Sequence, residues 1–157
     1  MRTLSALVFL AACTGGPGEQ TILELDTAGY IAEVDGYVAV GCATLDCHGD
    51  AGRPLRLYSE TGLRDSRDRD LPLSMAELEE NVLSFAGLDQ SPPLQNLAVL
   101  KPLAGSAGGL DHVGGDVWAD VNDPGYICVL AWLEGRVGDE QDACAEARAG
   151  VMLPPAP

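Results

Sequence analysis

The positions of its five cysteines constrain this chain of 157 residues more than any other sequence feature. Cys13 follows an apolar run near the N-terminus, and the other four form two pairs by position, Cys42 with Cys47 and Cys128 with Cys144. The chemistry open to a cysteine depends on its redox compartment, because free thiols outside the cytoplasm are exposed to oxidation. The N-terminal segment therefore decides how the two pairs are interpreted.

The N-terminal segment is typical of an export signal. Arg2 is followed by an uncharged, mostly apolar run over residues 4–12. At a rise of about 1.5 Å per residue, a helix of this length is too short to cross a hydrocarbon core of about 30 Å. Residues 1–12 are therefore predicted to form a cleaved signal peptide rather than a transmembrane helix.

The end of that run, Leu10-Ala-Ala-Cys13, resembles the lipobox of bacterial lipoprotein signals. The resemblance implies cleavage before Cys13 and a lipid on its thiol, which would anchor the chain in the cell envelope, on the periplasmic face of a membrane. Thr14 favours the outer membrane by the same resemblance. Residues 13–26 are then expected to form a flexible tether. The alternative is an ordinary secretory signal, cleaved nearby, with Cys13 as a bystander.

The length of the rest of the chain predicts a single domain, and its composition makes that domain acidic. Removal of residues 1–12 leaves 145 residues, enough for a single domain at 27–150, with 151–157 as a disordered tail. Eight basic and 24 acidic residues give this mature chain a net charge of −16. Such a surface repels nucleic acid and anionic lipid, so no nucleic-acid partner is expected and membrane contact should come through the lipid anchor.

The clearest chemical pattern is Gly41-Cys42-Ala-Thr-Leu-Asp-Cys47-His48-Gly49. Covalent haem attachment requires two thiols that add to the vinyl groups and an adjacent histidine that binds the iron. Two residues usually separate the thiols, whereas four do here, and the extra residues are expected to loop out. A Cys42–Cys47 disulfide and a zinc site completed by His112 and carboxylates are the alternatives. The scarcity of aromatic residues, 5% of the chain, is consistent with a haem filling part of the core.

Together with segments that follow in order, this pattern resembles a group of exported c-type cytochrome-like proteins of bacteria. Those segments are Arg53-Pro-Leu-Arg-Leu-Tyr58, Leu100-Lys-Pro-Leu103, His112-Val-Gly-Gly115, Asp123-Pro-Gly-Tyr126 and Trp132-Leu-Glu-Gly135. The resemblance covers about residues 30–135. It implies a mainly α fold, a small cytochrome c-like helical domain with long ordered loops, and a covalent haem c. Cys42 and Cys47 would be the thioether anchors and His48 the proximal iron ligand.

Few residues could supply a second iron ligand, and they are His112, Met75 and Met152. Met75 begins a predicted helix and Met152 belongs to the proline-rich tail, whereas His112 lies in a glycine-rich loop before the C-terminal helices. That order matches the small cytochrome c fold, and glycine allows a close approach of the backbone. We therefore expect His48 and His112 to bind the iron together. A surface role for His112, which would leave an open iron site, is the alternative.

Helix signals are clear at four places. Helices are predicted over about 27–40, from the Ser74 cap to about 85, from the Asp123 N-cap to the Gly135 stop, and over about 140–149. The charged segment 49–73 is expected to be a solvated loop with local ion pairs, and 89–122 a long ordered loop.

The second cysteine pair falls on two neighbouring predicted helices. Cys128 and Cys144 are therefore expected to form a disulfide that closes a loop of about 16 residues, worth about 3 kcal/mol in the chain-entropy model.

These features predict a membrane-anchored monohaem electron carrier with a redox protein as its partner, and no catalytic acid, base or nucleophile is evident. A haem-free lipoprotein, in which two disulfides staple a structural or protein-binding domain, is the alternative. An enzyme with an open iron site is a third possibility.

Overall fold

The computed structural model describes residues 23–67, 69–136, 138 and 141–152, with Met152 described in its backbone only. Within these ranges the predicted mainly helical fold is confirmed: helices and ordered loops are joined by two isolated β-bridges, with no strand. No helix of this part of the chain is long and apolar enough to cross a membrane. The predicted signal peptide, Cys13, the start of the tether and residues 153–157 lie outside the described residues.

Helix α1 begins where predicted and consists of three consecutive helical segments. They are an α-helical turn at Thr27–Gly29, a π-helical segment at Tyr30–Val34 and an α-helix at Asp35–Gly41. The carboxylate of Asp26 caps the first turn by accepting from the Gly29 amide at 3.0 Å. Tyr30, Val34, Tyr37 and Val38 are buried, at the spacing that places them on one helix face. The π-helical segment was not predicted.

Helix α2, Met75–Leu88, begins with the predicted capping box. The Ser74 hydroxyl accepts from the Glu77 amide, and the Glu77 carboxylate accepts from the Ser74 amide. The same carboxylate binds Arg64 Nε at 3.0 Å, with both side chains 1% exposed. Arg64 was expected in a solvated loop, and that expectation is wrong because Glu77 pairs with it in the interior.

The segment 89–122 is an ordered loop, as predicted, but it contains helical turns that were not. It holds 3₁₀ turns at Pro93–Gln95 and Gly105–Ala107 and a short helix, α3, at Leu97–Leu100. Buried Asn96 caps α3 through the Ala98 amide and donates its side-chain amide to the Asp89 carbonyl. These contacts join residues up to seven positions apart, so no local sequence pattern predicts them.

The last two helices carry the predicted disulfide. Helix α4, Pro124–Leu133, begins at the Asp123 cap as expected, and helix α5 extends over Gln141–Met152. Cys128 of α4 and Cys144 of α5 form a disulfide with their Cα atoms 4.8 Å apart. Both cysteines are buried, so the bridge fixes α5 against the core.

Aromatic rings and one close backbone approach bring α1, α2 and α4 together. Tyr30, Phe85 and Trp132 contact one another with ring centroids 5.1 to 6.1 Å apart. Trp118 Nε1 donates to the Tyr37 hydroxyl at 2.7 Å in the interior. A Cβ atom on Gly125 of α4 would overlap that hydroxyl, so glycine is required there for the helices to meet.

The Arg64–Glu77 pair predicts an acid-sensitive stability. Burial alone would raise the pKa of Glu77, but hydrogen bonds from Arg64, Ser74 and Asp65 outweigh burial and lower it from 4.5 to about 2. A folded pKa below the unfolded value means that the pair stabilises the fold above pH 4.5 and that this contribution is lost as the pH falls towards 2. We expect Glu77→Gln to reduce the free energy of unfolding at pH 7 by about 3 kcal/mol.

Urea denaturation at a series of pH values tests this expectation. The difference between the wild type and Glu77→Gln should shrink between pH 4.5 and about 2. Glu79→Gln, an exposed change on the same helix, is the control and should shift stability by less than about 0.5 kcal/mol. A difference that stays constant across this pH range would contradict the assignment.

Candidate functional site

The Cys42–Gly49 segment forms a tight turn directly after α1. The His48 amide donates to the Cys42 carbonyl at 2.9 Å, and the Cys47 and Gly49 amides both donate to the Thr44 carbonyl at 2.9 Å. Between the two cysteines the chain bulges outwards, with Leu45 54% exposed and Asp46 also at the surface. The extra residues of the longer spacing therefore lie in solvent, and the turn that carries His48 is closed by the backbone.

Gly49 is required by this turn. A Cβ atom at position 49 would overlap the Ala43 carbonyl oxygen and lie 2.8 Å from the Thr44 carbonyl group. The same Ala43 carbonyl accepts a hydrogen bond from Ser59 Oγ at 2.5 Å, and a Cβ atom on Gly62 would also overlap it. The motif thus packs against the segment at 59–62 so closely that positions 49 and 62 have no room for a Cβ atom.

Two backbone contacts hold His48, one at its ring and one at its main-chain carbonyl. Its Nδ1 lies 2.8 Å from the Leu55 carbonyl, and its own carbonyl accepts from the Leu57 amide at 2.8 Å. A carbonyl can only accept, so Nδ1 carries the proton and Nε2 has a free lone pair. Burial lowers the pKa of His48, with nearby His112 and Arg53 acting in the same direction and the Leu55 hydrogen bond opposing them. Neutral imidazole, the form that binds metals, is favoured.

His112 lies on a loop that is fixed to the end of α3. The Leu110 amide donates to the Leu100 carbonyl at 2.8 Å and the Val117 amide to the Pro102 carbonyl at 2.8 Å, so the loop is held at both ends. His112 Nδ1 lies 2.9 Å from the Gly115 carbonyl. This histidine therefore also keeps its Nε2 lone pair free, as His48 does.

The two histidines face one another although 64 positions separate them in the sequence. Their ring centroids are 6.0 Å apart and their planes are inclined by 14°. If one metal ion lay between them, bonds of about 2 Å to each ring would put the ring centres about 6 Å apart. The observed centroid separation matches that distance, and the two ring planes are close to parallel.

The two histidines line a mostly apolar cavity of about 320 Å³. Its size falls at the lower end of the range for small-molecule sites, about 300–1,000 Å³. The apolar wall comes from the loop after the motif, the end of α2 and α3, and consists of Pro54, Leu55, Leu88, Leu97, Ala98, Pro102 and Val113. Arg53 and Lys101 also line it and are its two cationic residues.

The two motif cysteines differ in their surroundings. Both are free thiols, and Cys47 is exposed and lines the cavity next to His48. Cys42 is half-buried and packs against the hydrophobic core. Burial, and secondarily the nearby Cys47, raises the pKa of Cys42 to about 12, so it stays protonated. Of the residues predicted to bind the cofactor, Cys47, His48 and His112 meet at one cavity, and Cys42 is not among the described residues that line it.

Haem and a bare metal ion need different numbers of ligands from the protein. In the described part of the chain no group of three or more His, Cys, Asp and Glu side chains is arranged to hold one. A structural zinc ion takes four ligands, almost always from the protein, whereas a porphyrin supplies four nitrogens and leaves only two axial positions. A porphyrin-bound iron would therefore need only two side-chain ligands from the protein, whereas a structural zinc ion would need four.

Other features of the site were not predicted. The carbonyls of Leu55 and Gly115 orient the two imidazoles, and backbone acceptors carry no sequence signal. Lys101 was quoted only as part of a segment, but its Nζ donates to the Asp111 carbonyl at 2.8 Å beside His112. A lysine following a short apolar helix is too common a pattern to have singled it out.

Comparison with protein-family models, with curated proteins and with solved structures finds no match to this chain.

Gly49→Ala tests how strongly the turn depends on close packing. The added methyl group must displace the backbone around Ala43, so we expect a loss of about 3 kcal/mol in the free energy of unfolding. Gly87→Ala is the control, since nothing lies within 4 Å of its added Cβ, and an alanine in α2 should be neutral or stabilising by up to about 1 kcal/mol. Equal stabilities of the two variants in chemical denaturation would contradict this account.

Proposed function

We propose that this chain is a membrane-anchored monohaem c-type cytochrome that transfers electrons in the cell envelope. The observation that carries the proposal is the pair of facing imidazoles, His48 and His112, with centroids 6.0 Å apart. A thiol, Cys47, borders the same apolar cavity. Two metal ligands, a thiol and an apolar wall are together what a covalently bound haem needs from a protein.

The roles of the ligands follow from their hydrogen bonds. His48 and His112 would each offer Nε2 to the iron, because their Nδ1 atoms are engaged by the Leu55 and Gly115 carbonyls. When bound, haem supplies a one-electron change at its iron. Both ligands are held by backbone contacts, so the protein can keep the same coordination in the two oxidation states.

Arg53 and Lys101 would pair with the carboxylate groups of the porphyrin. They are the two cationic residues of the cavity wall, in a mature chain whose predicted net charge is −16. Their head groups already reach towards the site's edges, Arg53 to the Asp46 carbonyl at 3.1 Å and Lys101 to that of Asp111. A carboxylate would replace a neutral carbonyl with a charged acceptor, which is the stronger partner.

The acidic surface indicates the kind of redox partner. Strong negative charge accelerates encounter with a basic protein and disfavours nucleic acid. The lipid on Cys13 would keep the domain at the membrane through the part of the predicted tether that precedes Leu23. The rest of that segment belongs to the folded domain, since Leu23 and Leu25 pack against the core and Asp26 caps α1. Nothing in the described residues points to catalysis, so electron transfer rather than a reaction on a substrate is the proposed activity.

A haem-free lipoprotein with a structural or binding role is the second candidate. The Cys128–Cys144 disulfide favours it, since a disulfide-stapled domain is stable without a cofactor. This reading leaves the facing histidines and the apolar cavity without a role, and for that reason it ranks second.

Haem content separates the two candidates. Produced in a host that matures c-type cytochromes, the wild-type chain should keep peroxidase-active haem on a denaturing gel, at one haem per chain. An absence of covalent haem in a host that loads a known cytochrome c in parallel would favour the haem-free candidate.

Carbon monoxide tests the second ligand. The ferrous wild type should bind the gas poorly because His112 would already hold the iron, whereas His112→Ala should bind it stoichiometrically. Met75→Ala, an exposed methionine in the first turn of α2, is the control and should leave the spectrum unchanged. Equally strong binding by the wild type would indicate an open iron site.

Membrane attachment tests the role of Cys13. Cys13→Ala should move the protein from the membrane fraction to the soluble fraction and remove labelling by radioactive palmitate, because the acyl chains supply the membrane affinity. Thr14→Ala should keep both. Retention of Cys13→Ala in washed membranes would contradict lipidation.

A further inference from the structure

The two thiols of the motif lie in different environments. Cys47 is exposed and lines the cavity that contains His48 and His112. Cys42 is half-buried, packs against the hydrophobic core, and is not found among the described residues that line this cavity.

The backbone holds Cys42 at the end of α1. Its amide donates to the Val38 carbonyl at 2.9 Å, and its carbonyl accepts from the His48 amide at 2.9 Å. Moving the Cys42 sulfur to the cavity would require it to leave its contacts with the core, at a cost in buried apolar surface. Cys47 needs no such rearrangement, since its side chain already borders the cavity.

We propose, building on the haem-binding function proposed above, that the haem is attached through a single thioether at Cys47 and that Cys42 remains a free thiol in the core. In the attachment step the Cys47 sulfur bonds to one vinyl carbon while its thiol hydrogen ends on the other. The carbon–carbon double bond becomes single, and no electron is gained or lost overall. With the Cys47 sulfur in a thioether, Cys42 has lost its neighbouring thiol as a disulfide partner.

Counting free thiols in the loaded wild type tests this proposal without any substitution. The holoprotein is denatured without reductant, treated with iodoacetamide and digested, and the peptide that contains Cys42 and Cys47 is analysed by mass spectrometry. We expect one haem on Cys47 and one alkyl group on Cys42. A haem-bearing peptide with no alkylated cysteine at 42 or 47 would mean two thioethers and would overturn the single attachment while leaving the haem function intact.

Two variants provide an independent readout. Cys42→Ala should keep its covalent haem on a denaturing gel, with the wild-type position of the α band in alkaline pyridine, whereas Cys47→Ala should lose covalent haem. Loss of covalent haem in Cys42→Ala, with haem retained in Cys47→Ala, would overturn the assignment. A wild type without any covalent haem would overturn the proposed function itself, and this inference with it.

Discussion

The hydrogen bond between Tyr37 and Trp118 connects the two halves of the candidate site. Tyr37 belongs to α1, five residues before Cys42, and Trp118 follows the His112 loop by a few residues, so the bond joins positions 81 apart in the sequence. Gly125 makes the bond possible, because any side chain at that position would overlap the Tyr37 hydroxyl. A buried donor and acceptor satisfy one another here, and an unpaired partner would carry the cost of its desolvation. The bond therefore joins the helix that leads to Cys42 to the segment that follows the His112 loop.

The protein fixes both imidazole rings through Nδ1, and no hydrogen bond to Nε2 of either ring is found among the described residues. The backbone carbonyls of Leu55 and Gly115 accept hydrogen bonds from Nδ1 of His48 and His112, respectively. Carbonyls have no second protonation state in the physiological range, so the ring orientation does not depend on a titrating neighbour. The core on the other side is stabilised separately, by the aromatic rings of α1, α2 and α4 and by the Cys128–Cys144 disulfide.

Local signals in the sequence predicted the local structure well. The Ser74 and Asp123 caps and the disulfide were predicted correctly, because each depends on residues close in the sequence or on a short inventory of cysteines. The ends of α2 and α5 were predicted too early, at about 85 and 149, whereas these helices extend to Leu88 and Met152, so Met152 does not belong to a tail beyond the last helix. The buried Arg64–Glu77 pair and the Asn96 cap network were missed, since alternating charges and a lone asparagine usually belong to a solvated loop. For the site, residue types led to the prediction that His48 and His112 are iron ligands, but only the fold shows that their rings lie close together. The unequal burial of Cys42 and Cys47 could not be read from spacing, which says how far apart two thiols are but not what each one contacts.

Because the chain bulges outwards at Leu45 and Asp46, the position of His48 does not depend on the number of residues between the two cysteines. Because the His48 amide reaches back to the Cys42 carbonyl, the turn closes at its base, and Leu45 and Asp46 at its tip are exposed, with a hydrogen bond from Arg53 to the Asp46 carbonyl. Insertions or deletions at the tip would then leave the imidazole where it is, as surface loops generally tolerate changes of length. A search pattern with a fixed number of residues between the cysteines would overlook proteins built in this way. The features to look for are a histidine followed by a glycine that has no room for a Cβ, and a distant second histidine on a loop held at both ends.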